Sequence, residues 1–184
     1  MTRINVRRTS VAEGSAEPVS CDDLMAWARV TDEGERRVLE RLITVAREEV
    51  ERFTGYVLIP GTFLLTTQFA TRVELPLIPI TEISEVRTLD AYGEITTLDV
   101  TSYDAALSVA PAVLVIYGYT YGAGGMDVEV EAGYGAGESV PQELRQAVLD
   151  VALLHYTHRD DPALLTRVHA YLGTLSTTFG IVQA

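Results

Sequence analysis

The sequence predicts an α+β fold, with a mostly helical core and a central region rich in antiparallel β-hairpins. The core would be a long N-terminal helix packed with C-terminal helices. Three observations carry this. Apolar residues recur at helical spacing from Leu39 to Phe53 and again from Leu144 to Leu154. Between these stretches, short runs rich in β-branched and aromatic residues are separated by Pro60-Gly61 and Asp90-Ala91-Tyr92-Gly93. Over Asp127–Ala132, acidic and apolar residues alternate with the period of a strand.

Residues 1–19 are polar, carry Arg3, Arg7 and Arg8, and show no period, so they read as a flexible arm. Ser20 is placed to cap a short helix over Asp22–Arg29, with Asp23 completing a capping box. Thr31 is expected to cap the long helix, with Asp32 and Glu33 in its first turn, where the helix dipole favours carboxylates. Leu39, Leu42, Ile43, Ala46, Val50 and Phe53 form one stripe, and Gly55 ends it. Burying the five large members contributes about 10 kcal/mol gross, enough to make this a core element.

The strand-rich middle spans 56–132. Pro60-Gly61 fits a type II turn between Tyr56–Ile59 and Thr62–Phe69. Val73–Leu75 is a short extended piece, Ile83–Leu89 and Glu94–Val100 flank a hairpin loop, and Val113–Tyr119 is a further strand. Helices return over 141–175. Pro141 suits a first helical position, and Asp160-Asp161-Pro162 breaks the run before a last helix. Residues 20–175 thus read as one domain, with helices over 22–54 and 141–175, followed by a tail over 176–184.

The 184 residues are 47% hydrophobic, yet the net charge is −12. The sequence pI is about 4.6 and the mean hydropathy +0.15. Such a chain has no electrostatic attraction to free nucleic acid or to an anionic membrane. Its apolar content points to burial at subunit interfaces as well as in a core. All 14 basic residues are arginine. That removes P-loop, Schiff-base and general-base lysines. Cys21 is the sole cysteine, so no intramolecular disulfide and no multi-cysteine zinc site can form, and a reducing compartment is expected. No signal peptide is visible, and no apolar run is long enough to span a bilayer.

The stretch Gly133-Tyr134-Gly135-Ala136-Gly137-Glu138 follows a strand and precedes a helix, the order of nucleotide-binding loops. A small nucleotide- or metal-binding enzyme built on residues 133–138 is therefore one reading. The chemistry opposes it. Glu138 stands where the dinucleotide motif needs glycine, and the lysine of a P-loop is missing. A helix N-terminus offers a surface anion about 0.3–1 kcal/mol. A carboxylate about 8 Å away opposes that anion by about 2 kcal/mol at an effective dielectric near 20. Glu131 and Glu138 flank the loop, so repulsion wins and a chain-reversing corner is favoured.

His155 and His158 share a helix face, with Asp160, Asp161 and His169 nearby in sequence. A metal site can be drawn from them, but histidines in a last helical turn also serve the dipole. Asp127, Glu129 and Glu131 lack a calcium-loop pattern and read as a solvated face. The arginines and glutamates between Glu35 and Arg52 read as a mixed-charge outer face. Tyr117, Tyr119 and Tyr121 alternate, which puts their rings on one strand face, either as core cover or as a subunit interface. No catalytic residue, cofactor or metal is assigned. A stand-alone homo-oligomeric interaction module is a further reading.

Three quoted stretches carry a resemblance to a known family. The segment "DDLMAWARVTDEGERRVLERLITVAREEVERFTGYVLI" has a short helix, an acidic break and a long helix ending in Glu51-Arg52-Phe53-Thr54-Gly55. "VELPLIPITEISEVRTLDAYGE" has a strand, paired prolines and a hairpin. "AGYGAGESVPQELRQAVLDVALLHYTHRD" has an Ala-Gly-Tyr-Gly loop leading to Val-Pro and a helix. In this order they resemble the head–tail connector (adaptor) proteins of long-tailed bacteriophages, prophages and gene transfer agents, over about Ser20–Asp160.

That resemblance implies a structural virion protein at the head–tail junction, not an enzyme. It implies a ring, commonly of twelve copies, between the portal protein and a stopper or tail-completion protein, with DNA passing through without specific binding. It also implies that the C-terminal end docks on the portal, for which Phe179, Ile181 and Val182 are the candidate anchors. In such a ring some of Asp127, Glu129 and Glu131 would face the lumen or solvent and keep phosphates from adhering.

Overall fold

The computed structural model describes residues 4–117, 123–135 and 139–179. Contacts divide the chain into two compact units: Met1–Ser15 with Pro60–Gly133, and Ala16–Ile59 with Tyr134–Ala184. The expectation of one domain over 20–175 is thereby corrected. Each unit is assembled from separate stretches of sequence and buries its own apolar side chains.

The second unit is helical. Helix α1 (Cys21–Ala28) starts at Ser20 with a complete capping box, as its sequence predicts. The long helix starts later than expected. Asp32 accepts a hydrogen bond from the Gly34 N–H at 2.8 Å and closes a 3-10 turn over Glu33–Glu35. Helix α2 (Arg36–Thr54) follows and ends at Gly55 with φ 74°, a left-handed stop that glycine adopts without strain. Helix α3 (Gln142–Thr157) begins immediately after Pro141, and α4 covers Leu164–Phe179. Leu39, Ile43, Ala46 and Val50 of α2 share one core with Leu144, Ala147, Val148 and Val151 of α3. Val168 and Leu172 bring α4 into the same core. The last helix runs past the expected end at 175.

The strands of the first unit all pair antiparallel. One sheet has five strands in the order β1 (Asn5–Val11), β2 (Gly61–Gln68), β8 (Ala123–Ala132), β4 (Ile80–Asp90) and β5 (Ile95–Thr97). The other has three, in the order β3 (Arg72–Leu75), β7 (Ala112–Ile116) and β6 (Tyr103–Ala106). Alternate side chains are buried: Phe63 and Leu65 on β2, Val128 and Val130 on β8, Leu114 and Ile116 on β7. The hairpin between β4 and β5 forms where the sequence places it, with Gly93 at φ 84°.

Two expectations fail here. Residues 1–19 were read as a flexible arm, yet Asn5–Val11 pairs along β2, from Asn5 opposite Thr66 to Val11 opposite Gly61. The strand lies at a sheet edge and all but one of its residues are exposed, so it carries no alternating apolar pattern. It is held by its backbone ladder and by the Arg8 guanidinium, 4.8 Å from the Phe63 ring centroid. Pro60-Gly61 makes no hairpin turn. Pro60 O accepts from the Ala12 N–H at 3.0 Å, and Gly61 opens β2. A Cβ at Gly61 would run into the Ser10 carbonyl oxygen, so glycine is what allows the two strands to approach.

Candidate interaction surfaces

The acidic face begins with the pleat of β8. Val128 and Val130 point inward, so Asp127, Glu129 and Glu131 stand on the opposite face, between β2 and β4. Thr66 donates to Asp127 at 2.7 Å and Thr62 to Glu131 at 2.8 Å. Arg87 lies 3.9 Å from Glu129 and 3.4 Å from Glu85. The three carboxylates are half-buried by their neighbours. They form an outward surface whose charge is softened by hydroxyl donors and one guanidinium.

Of the tyrosines, Tyr117 follows β7, donates its N–H to Ser102 O at 2.7 Å and is exposed. Tyr119 and Tyr121 lie outside the described residues. Phe179 is the last residue of α4, while Ile181 and Val182 lie outside the described residues.

The histidines do not converge. His155 Nε2 lies 3.0 Å from Glu49 Oε2, in an almost buried pair between α3 and α2. His158 shares a 2.7 Å hydrogen bond with the Thr157 hydroxyl, and the His169 ring sits 5.9 Å from that of Phe53. Among the described residues, no group of three or more His, Cys, Asp or Glu is placed to hold a metal ion. In the glycine loop, Gly133 adopts φ 125°, and its N–H donates to Pro79 O at 2.9 Å. Tyr134 donates to Val57 O at 3.1 Å and stacks on Tyr56, with ring centroids 6.4 Å apart. Burial pushes the Tyr134 phenol above its usual pKa. The described part of the loop is a corner; residues 136–138 lie outside the described residues.

Two polar networks were not foreseen. Asp150 on α3 accepts from the Trp27 indole at 3.1 Å, the Gln146 amide at 2.9 Å and the Tyr171 hydroxyl at 2.6 Å. It thereby ties α1 and α4 to α3. Burial, reinforced by that hydrogen bond, raises the Tyr171 pKa well above its usual value. In the second network, buried Arg47 meets Glu17 at 2.9 Å and Glu51 at 2.7 Å. Trp27 also walls a shallow cleft of about 300 Å³ between α1 and α3, with Arg145 on its other side.

The charges between Glu35 and Arg52 segregate. Glu35, Glu49 and Glu51 turn toward Arg159, His155 and Arg47. Arg37, Arg41 and Arg52 remain exposed on the outward side, together with Val38 and Val45. The run read as mixed is therefore enriched in arginine where it meets solvent, with Glu40 and Glu48 as the exposed carboxylates.

No protein-family model matches the chain, and no curated protein matches it. Solved structures do share its fold. One is a chain in the neck of an empty gene transfer agent (GTA) particle computed with C6 symmetry, and another is a chain in the virion of a native GTA particle. Each has a TM-score of 0.69 at 19% identity, over 91% of this chain and 94% of that chain. A chain in the neck of a native GTA particle computed with C12 symmetry gives 0.66 at 20% identity, with the same coverage. At this identity the likeness establishes a common fold, and the near-complete coverage in both directions shows that it extends across both units.

Proposed function

We propose that this chain is the repeating subunit of a head–tail connector ring in a phage-like or gene-transfer-agent particle. One observation carries the reading: the likeness to chains of GTA particles covers nearly the whole of both partners. The order of the three quoted stretches supports it independently. In this role the chain is a structural component that assembles with copies of itself, twelve to a ring, at the junction of head and tail. It joins a portal protein on one side to a stopper or tail-completion protein on the other, and DNA passes through the centre.

The surfaces fit these tasks. A channel for moving DNA works best without tight phosphate contacts, and the β8 carboxylates supply a face that repels them. The C-terminal segment with Phe179, Ile181 and Val182 offers three apolar side chains to the portal. Tyr117, with Tyr119 and Tyr121, offers aromatic contacts to a neighbouring subunit.

The test is to delete the gene from a producing host and image the particles. Separate heads and tails, rejoined when a tagged chain is supplied and seen at the neck, are the expected result. Intact tailed particles without the chain would defeat the reading.

A further inference from the structure

Strands β5 and β6 are the last strands of their respective sheets, and they are consecutive, joined through the 3-10 turn Val100–Ser102. One edge of each sheet therefore lies along a single stretch of chain, the other edges being β1 and β3. Large apolar side chains are displayed there: Tyr92 is 96% exposed, Val100 74% and Ile95 58%. Tyr92 is not a loose loop residue. Asp90 Oδ1 accepts from both the Tyr92 and Glu94 N–H groups at 2.8 Å, which fixes the hairpin tip beneath the ring. The charged residues between Asp90 and Asp104 are Asp90, Glu94, Asp99 and Asp104, with no arginine among them. An open double edge bearing a braced aromatic and only negative charge calls for a partner surface that is apolar and basic.

The chain itself carries such a surface in its other unit. The outward stripe of α2 runs from Arg37 through Val38, Arg41 and Val45 to Arg52, a rise of about 22 Å at 1.5 Å per residue. No side-chain hydrogen bond or ion pair within the chain engages the guanidinium groups of these three arginines among the described residues, whereas those of Arg36, Arg47, Arg87, Arg159 and Arg167 all have carboxylate partners. Glu48, the carboxylate within the stripe, is 3.4 Å from the Arg47 guanidinium.

We propose that the α2 stripe of one copy docks on the β5–β6 edge of a second copy. Two different patches that complement each other make a head-to-tail contact, the type a closed ring repeats. Arg37, Arg41 and Arg52 meet Glu94, Asp99 and Asp104, while Val38 and Val45 meet Tyr92, Ile95 and Val100. This contact rests on the connector reading and names the faces through which its copies would join.

The experiment measures self-association of the full-length protein by sedimentation and native mass spectrometry. Arg37→Glu with Arg41→Glu reverses one side, and Glu94→Arg with Asp99→Arg reverses the other. All four positions are exposed, and thermal melts verify folding. Each double variant alone should associate at least about tenfold more weakly than the parent. The quadruple variant should recover association. An equimolar mixture of the two double variants should recover it too, because every contact in an alternating ring is then matched.

Unchanged association of either double variant, or failure of both rescues, overturns the contact. So does a parent protein that stays monomeric at about 100 µM. Absence of the tagged chain from the particle neck would instead overturn the connector reading, whatever the solution data show.

Discussion

Arg47 and Glu51 form an ion pair one helical turn apart, 2.7 Å between Nη1 and Oε2, with almost all of both side chains out of solvent. The second Glu51 oxygen accepts from the Leu58 and Ile59 N–H groups at 2.8 and 3.3 Å. One carboxylate thus binds its own helix and caps the chain that leaves it. Arg47→Ala strips the buried Glu51 carboxylate of this cation, and Glu51→Ala removes the acceptor of the Leu58 and Ile59 N–H groups while Arg47 keeps Glu17 at 2.9 Å. Arg47→Ala and Glu51→Ala are each expected to cost about 3 kcal/mol in urea unfolding. The double variant should lose less than the sum, a coupling read from the thermodynamic cycle.

Gly61→Ala should detach the first strand. The added methyl meets the Ser10 carbonyl, a backbone group that cannot swing aside. Hydrogen exchange at the paired amides of Asn5–Val11 should accelerate, while protection of α2 and α3 remains. Equal protection of Asn5–Val11 in both proteins would contradict this account of β1.

Tyr171 gives an alkaline signature. Burial and the bond to Asp150 raise its folded pKa above the ordinary tyrosine value of about 10, so the folded state keeps the phenolic proton longer than the unfolded chain does. Its stabilising contribution is complete below pH 10 and is lost as pH rises from there through the folded value. Tyr171→Phe should lower neutral-pH stability by about 1 kcal/mol through the lost hydrogen bond. The same substitution should flatten the stability–pH slope above pH 10, read by denaturation at pH 9 to 11.

The β8 carboxylates are tested by charge. Glu129→Arg, with or without Asp127→Arg, should raise low-salt affinity for duplex DNA, with a steeper salt dependence as phosphate contacts are gained. Particles carrying these substitutions should eject DNA more slowly. Unaltered DNA binding at low salt would remove this face from the channel.

Removing Thr177–Ala184 should leave the subunit folded, because Val168 and Leu172 hold α4 in its core from residues further back. Thermal stability is expected within about 1 kcal/mol of the full chain. Co-purification with the portal protein should be lost.

The helical core was legible because its signals are local and periodic: the stripe from Leu39 to Phe53, the Ser20 cap and the Gly55 stop. The acidic side of β8 was equally plain from its two-residue period. What escaped depends on partners far away in sequence. Glu49 looks like one more surface carboxylate until His155, 106 residues later, is beside it. The arginine bias of the outward α2 face appears only once Glu35, Glu49 and Glu51 are seen to turn elsewhere. The strand Asn5–Val11 has no buried alternate face to announce it, and Pro60-Gly61 imitates a turn while serving close strand contact. Tyr171 and Asp150 are 21 residues apart on different helices, a spacing that carries no pattern.

Because the strand-built unit takes Met1–Ser15 from the start of the chain and the rest from Pro60–Gly133, while the helices come from Ala16–Ile59 and Tyr134 onward, neither half is contiguous. On a ribosome, the first strand must wait for β2 to emerge, and α2 stays without its main packing partner until α3 is synthesised. Half-made chains therefore carry the apolar stripe of α2 without its cover until α3 has emerged. A simple cut at either terminus cannot yield one half alone; an isolated helical half would need residues 60–133 replaced by a short tether.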